Sequence, residues 1–251
     1  TSRGSTTIRT YDVDQCGTGT SLCGGEAKSL DNSWPKAHNN SAHSLTGQVL
    51  DFWAERYGLN SFDDRGTSLR VFQMQDSQYD NAYWNGVDSI VVGDGSYSTG
   101  NGYYDFLSRG DIMAHELGHA VEGAIGPDLL YRQESGALAE SIGDMAGVYF
   151  ERWLESKGTM NSSAGDWLIG EDAIHPDSRH ANEAMRDMSD PKRMQDPDTY
   201  RGAYWLPTES CDPTPGNDNC GVHSNSGLPN FPFYLLSEGR EGVTAHGHPF
   251  A

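Results

Sequence analysis

Lysine is scarce: there are four in 251 residues, and with arginine the basic total reaches only 17 against 36 acidic side chains, a net charge of −19. A surface so short of positive charge repels phosphate backbones and anionic lipid, so nucleic acid and membrane are excluded as partners. Long apolar runs are missing as well, and no stretch reaches the roughly 18 apolar residues that a spanning helix needs. Cysteine is limited to two local couples, Cys16/Cys23 and Cys211/Cys220, neither with zinc-finger spacing. Proximity favours the bridges Cys16–Cys23 and Cys211–Cys220 among the three connectivities that four cysteines allow. Bridges of that kind belong to an oxidising compartment, so a secreted, extracellular location is expected. Thr1 opens a polar segment, as expected of a mature chain after processing. The acidic excess suits a soluble surface with cation sites, or adaptation to high salt.

What is present centres on His115-Glu116-Leu117-Gly118-His119. Residues four apart share a helix face, so two imidazoles at this spacing can grip one Zn²⁺. Glu116 stays free to act as a base on an attacking water. Apolar neighbours surround the motif, and a solvated helix face would not keep two histidines there. Downstream, Glu134-Ser-Gly-Ala-Leu-Ala-Glu140-Ser-Ile-Gly-Asp144 reads as a second helix with Glu140 and Asp144 on one face. Glu140 supplies a third ligand. Asp144 can accept the outward N–H of a metal-binding histidine. Two histidines, one carboxylate and an open position describe a catalytic zinc site rather than a closed structural one.

The remaining pattern places short strands and turns in residues 1–30 and a helix over Ser44–Tyr57, from the spacing of Leu45, Val49, Phe52 and Trp53. Strands are expected at 68–75 and 89–93, and helices at about 109–124 and 134–157. Residues 158–230 read as mostly loop with a short helix near 180–188, and a last helix begins near Pro229. Strands first and helices later, with the metal motif at the junction, make an α+β protein with a cleft. Two regions are expected: a β-rich lobe, 1–124, ending in the zinc helix, and a mainly helical and loop lobe, 125–251.

Four separated motifs, in order, resemble the thermolysin family of secreted zinc neutral metalloproteases. They are Asn81-Ala-Tyr-Trp-Asn-Gly86 with Gly93-Asp-Gly95, the Glu134–Glu140 segment, Met185-Arg-Asp-Met-Ser-Asp-Pro191, and Asp218-Asn-Cys-Gly-Val-His223-Ser-Asn-Ser-Gly227. The resemblance implies a two-lobed zincin fold and a zinc endopeptidase made as a zymogen, with protein and peptide substrates. It implies that His115, His119 and Glu140 bind zinc and that Glu116 is the general base. Tyr131 and His223 would stabilise the oxyanion, with Asp218 orienting His223. Arg186 would hold a substrate carbonyl, and Asn81 and the Ala82 backbone would pair with the peptide. Tyr103, Phe106, Ile112, Ile169 and Met185 would line a large apolar S1′ pocket, implying cleavage before residues such as Leu or Phe. At least one calcium ion would sit among Asp111, Glu151, Asp166, Glu171 and the Leu168 carbonyl, hard oxygen donors suited to Ca²⁺.

Two departures from the family pattern stand out. Ala139 occupies a position that is usually asparagine. Only 28 residues follow His223, so the helical C-terminal lobe reads as truncated. That leaves the apolar face of the last helix without neighbours and makes a C-terminal fragment of the same precursor an expected partner. Other readings fare less well. A metzincin needs a third histidine where Ile125 stands. A zinc aminopeptidase needs a carboxylate cluster for a free amine. A calcium-stabilised binding protein has no use for an intact Glu116, Tyr131 and His223.

Overall fold

Alternation in Leu69-Arg70-Val71-Phe72-Gln73-Met74-Gln75 sends Leu69 and Val71 to one side of a sheet and Phe72 and Met74 to the other. The computed structural model describes residues 6–14, 25–26, 37–75, 78–100, 102–159, 166–180, 183–239, 242–243 and 249–250. In chain order the main elements are β1 (Ile8–Asp14), β2 (Gly25–Glu26), α1 (Ala37–Tyr57), β3 (Leu69–Gln75), β4 (Ala82–Trp84) and β5 (Ser89–Val92). Then follow α2 (Gly110–Ile125), α3 (Gln133–Ser156), β6 (Leu168–Ile169), β7 (Arg186–Asp187), α4 (Asp218–Asn225) and α5 (Gly227–Glu238). Two short paired strands, β8 (Gly242–Val243) and β9 (Pro249–Phe250), close the list.

The N-terminal sheet has the order β2-β1-β3-β5-β4. β1 and β5 both run parallel to β3, whereas β4 pairs antiparallel with β5 through Ala82↔Val92 and Trp84↔Ile90. β4 is therefore an edge strand with hydrogen-bonding groups to offer. One face of the sheet packs through Leu69, Val71, Ile90 and Val92 onto Val49 and Phe52 of α1 and Met113 and Leu117 of α2. Phe150 and Trp153 of α3 extend the same core. The other face is a smaller cluster of Val13, Phe72, Met74 and Val91.

α2 and α3 form the antiparallel pair that carries the metal motif. Gly126-Pro127 ends α2, because proline cannot continue the ladder. The two helices approach closely at Gly118, where a Cβ would meet Gly143 Cα at 3.1 Å. α1 begins earlier than the 44–57 reading. No helix forms near 180–188 among the described residues. There Arg186–Asp187 is β7, paired antiparallel with β6 through Ile169↔Arg186. Tertiary pairing with buried Ile169 and Met188 overrides the weak local signal. The last helix is not without neighbours either: Phe233 and Tyr234 of α5 pack edge-on against Trp167, and Phe233 against Tyr149. No described helix is long and apolar enough to cross a membrane.

Candidate active site

The 3.6-residue period of α2 brings His115 and His119 to one face, and α3 presents Glu140 opposite them. His119 Nε2 lies 3.0 Å from His115 Nε2 and 3.3 Å from Glu140 Oε1, and His115 Nε2 lies 3.4 Å from Glu140 Oε2. Four tetrahedral ligands about 2.0–2.1 Å from a zinc ion are about 3.3 Å from one another. Glu140 is fully buried, and its Oε2 has no hydrogen-bond partner. A buried, unsatisfied carboxylate oxygen facing two imidazoles is costly without a cation, so these residues fit zinc.

Asp144 is the hub behind the cluster. Its Oδ1 lies 2.9 Å from His115 Nδ1, and its Oδ2 accepts from Arg186 Nε at 2.7 Å and Asn230 Nδ2 at 2.8 Å. Arg186 Nη2 adds a bond of 2.5 Å to Oδ1. Burial raises the Asp144 pKa, but the Arg186 guanidinium and His115 outweigh it and bring it down to about 2. Burial likewise depresses His115, yet Asp144 and Glu140 more than compensate and hold its pKa at about 10. Burial would raise Glu140 too, but His223, His115 and His119 hold it well below the carboxylate range. Glu140 and Asp144 are therefore ionised near neutral pH, and a metal bound at His115 Nε2 takes the place of the proton that these carboxylates hold there.

Glu116, on the next face of α2, accepts the Trp84 backbone N–H of β4 at 2.7 Å. It stays out of the ligand set and lines the same cleft. Tyr131 Oη donates to Glu140 Oε1 at 2.5 Å and lies 3.4 Å from His223 Nε2. Asp218 holds His223 twice, through the backbone N–H at 2.9 Å and through Nδ1. Burial lowers the His223 pKa, but the Glu140 and Asp218 carboxylates reverse this and leave it raised. Burial and Glu140 push the Tyr131 phenol upward, so it keeps its proton as a donor.

Glu116, Tyr131 and His223 line, with His115, His119 and Glu140, a cleft of about 590 Å³ between β4 and the helices. Asn81, Ala82, Ile112, Ile169, Met185 and Arg186 line it too. Tyr103 and Phe106 do not: the Tyr103 ring packs at a tilt against Tyr104 and His180, and Leu107 lines the cleft in this stretch. Ala139 also lines the cleft, beside Glu140.

A second acidic cluster lies beyond the far end of α2. Glu151 and Glu171 come together with Asp172, their carboxylate oxygens within 4.8 Å of one another. Asp111 is adjacent and fully buried, with its oxygens already accepting Ile112 N–H at 2.7 Å and Gly170 N–H at 2.5 Å. Asp166 accepts the Leu168 N–H at 2.9 Å. Burial first, then the neighbouring carboxylates, raises Glu151 to about 10 and Glu171 to about 8. Glu171 Oε2 has no partner, and carboxylates this close repel one another once ionised unless a cation lies between them. Asp172 was not marked by the sequence pattern, because a short 3-10 turn over Glu171–Ala173 rather than a regular face brings it in.

Cys211 and Cys220 form a disulfide with a Cα–Cα distance of 5.9 Å. The Cys16–Cys23 pairing falls outside the described residues.

The fold and the cluster define an α+β protein with a two-histidine, one-carboxylate metal centre in an open cleft. The sequence matches the thermolysin metallopeptidase catalytic domain over residues 1–122 and the thermolysin metallopeptidase alpha-helical domain over residues 127–249. The chain belongs to the thermolysin metallopeptidase family. It is 36% identical to bacillolysin of Bacillus cereus over 244 residues, 96% of this chain and 39% of that protein. It is 36% identical to thermolysin of Alicyclobacillus acidocaldarius subsp. acidocaldarius over 208 residues, 82% of this chain and 34% of that protein. Its fold is similar to the precursor of protealysin, a metalloproteinase from Serratia proteamaculans, with a TM-score of 0.70, 27% identity, and coverage of 95% of this chain and 70% of that one. The chain thus spans less than half the length of the curated relatives it matches.

Proposed function

We propose that the protein is a secreted zinc endopeptidase. The observation that carries this reading is the convergence of His115, His119 and the unsatisfied Glu140 carboxylate on one point of the cleft, with Glu116 beside them but outside the set. His115, His119 and Glu140 would hold zinc, which when bound would supply Lewis-acid polarisation of the scissile carbonyl and acidification of a water. A substrate strand adds to the edge of β4, where the Asn81 side chain and the Ala82 backbone, whose N–H Asn81 Oδ1 accepts at 2.9 Å in the free protein, turn to the peptide. Glu116, fixed by the Trp84 N–H, takes the proton of the attacking water and passes it to the leaving amine. Tyr131 Oη and His223 Nε2 donate to the developing oxyanion, and Asp218 sets the His223 tautomer and ring plane. Arg186, fixed on Asp144, offers its remaining donors to a substrate carbonyl.

Ile112, Leu107, Ile169 and Met185 form an apolar pocket beside Arg186, which supports a preference for large hydrophobic residues after the scissile bond. Glu151, Glu171 and Asp172, with Asp111, Asp166 and the Leu168 carbonyl around them, are the proposed calcium site. The proposed lobes are residues 1–124 and 125–251, meeting at the metal. Synthesis as a zymogen and export belong to the same reading and draw on the family membership. So does a C-terminal fragment of the precursor as partner, supported by Leu236 of α5, which is 79% exposed.

The test uses peptides blocked at both ends, with Leu or Phe following one bond. Cleavage before that residue is expected. Hydrolysis only of peptides with a free N-terminus would replace this reading with an aminopeptidase.

A further inference from the structure

The segment that presents His223 is built against backbone preference. Asp218, Asn219, Cys220 and Gly221 lie in succession at φ 56°, 47°, 72° and 77°. Only the last is a glycine, and consecutive non-glycine residues in the left-handed region persist only where the surroundings over-determine them. The residue that orients His223 is the first of this run. The third is Cys220, buried and bridged to Cys211 across nine positions.

The other end of that bridge is tied to the metal helix. Gln133, in the first turn of α3, donates through Nε2 to the carbonyls of Thr208 at 3.0 Å and Cys211 at 3.3 Å. Thr208 Oγ1 in turn donates to Glu134 Oε1 at 3.1 Å. Within the bridged loop, Asn217 Oδ1 accepts the N–H groups of Cys220 at 3.1 Å and Thr214 at 2.9 Å. A continuous set of contacts thus runs from the start of the Glu140 helix, through the disulfide, to the left-handed run that carries Asp218.

We propose that the Cys211–Cys220 disulfide is a positioning device for catalysis, which holds the Asp218–Gly221 run in its left-handed form and so keeps His223 aimed at the oxyanion. The inference rests on the endopeptidase reading above. Without the bridge, residues 218–221 are free to relax toward ordinary right-handed backbone. Such a change rotates Asp218 away from both the His223 ring and its N–H. Neither cysteine lines the cleft or belongs to the metal cluster, so loss of the bridge acts on turnover through His223 and leaves zinc and peptide binding alone.

The experiment is a double-mutant cycle on kcat and KM for a blocked peptide, with zinc content measured on each protein. The forms are wild type, Cys211→Ala with Cys220→Ala, His223→Ala, and all three changes together. Loss of the bridge is expected to lower kcat about 10-fold or more, with KM within about 3-fold and one zinc retained. In the His223→Ala background, loss of the bridge should change kcat by less than about 2-fold, because the group it positions is gone. A purely structural bridge would lower the melting temperature and leave kcat per folded molecule unchanged, and that result would overturn the proposal. Equal, multiplicative losses in both backgrounds would overturn it too. If His223→Ala itself kept full kcat, the role of His223 in the endopeptidase reading would fall first, a distinguishable outcome. Should the bridge-free protein not fold, the same cycle is run on folded Cys16→Ala, Cys23→Ala protein, in which a phosphine can cut only this bridge, with thiols counted by mass spectrometry. An unchanged kcat after complete reduction then decides against the proposal.

Discussion

Removing calcium should make stability fall as pH rises, opposite to the usual behaviour of a protein held by ionised carboxylates. In the cation-free fold, burial and mutual repulsion raise Glu171 to about 8 and Glu151 to about 10. In the unfolded chain both ionise near the ordinary value of about 4.3. A group with a raised folded pKa contributes its stability below the unfolded pKa and loses it as pH climbs toward the folded one. Between about pH 5.5 and 7.5 the folded state therefore holds two more protons than the unfolded state, and each contributes about 1.4 kcal/mol per pH unit. These two groups alone should cost the calcium-free protein about 2.7 kcal/mol per pH unit across that window, a large share of a typical 5–15 kcal/mol. The slope halves above about pH 8, where Glu171 ionises in the fold as well. Bound calcium keeps both groups ionised in the fold and removes this part of the slope. The assay is urea unfolding followed by circular dichroism, with the Glu116→Gln protein to prevent autolysis and zinc resupplied after calcium removal. Parallel curves with and without calcium, or a gap that narrows as pH rises, would refute the reasoning.

Further outcomes follow from the metal cluster. Glu116→Gln should keep one zinc and lose about 10²–10⁴-fold in kcat, read by metal analysis alongside peptide hydrolysis. Glu140→Ala should fail to hold zinc through dialysis, whereas Asp144→Ala should weaken zinc only about 10–100-fold, measured by competition with a chromophoric chelator. Equal zinc affinities for those two variants would remove Glu140 from the ligand set. Tyr131→Phe keeps the ring but loses the donor to the oxyanion, so kcat should fall by about 10²-fold with KM little changed in steady-state assays.

The parts of this site that were legible in the sequence are those set by helical period. His115, His119, Glu140 and Asp144 recur at i, i+4 on strongly periodic helices, so residue type and spacing sufficed to bring them together. The sheet strands around Leu69–Gln75 and Ser89–Val92 were legible for the corresponding reason, alternation and continuous burial. What the pattern did not carry depends on contacts distant in the chain. Arg186–Asp187 became a strand because Leu168–Ile169 lies beside it, and nothing within 180–188 specifies that partner. Trp84 matters through a backbone N–H, which no side-chain pattern records. Asn230 reaches Asp144 from α5 across 86 positions. The family resemblance points to Tyr103 and Phe106 for the pocket, whereas Leu107 is the residue of this stretch that lines it. The left-handed run at Asp218–Gly221 contains one glycine, so composition alone gave no sign of it.

The central claim is that one zinc at His115, His119 and Glu140 makes this protein an endopeptidase. The most direct test is stepwise return of zinc to metal-free protein while internal cleavage of a doubly blocked peptide is followed. Activity should rise in proportion to zinc and level off at one ion per chain, with no recovery in Glu140→Ala. Cleavage that persists without metal, or a protein saturated with one zinc at this site that cuts no internal bond, would contradict the account.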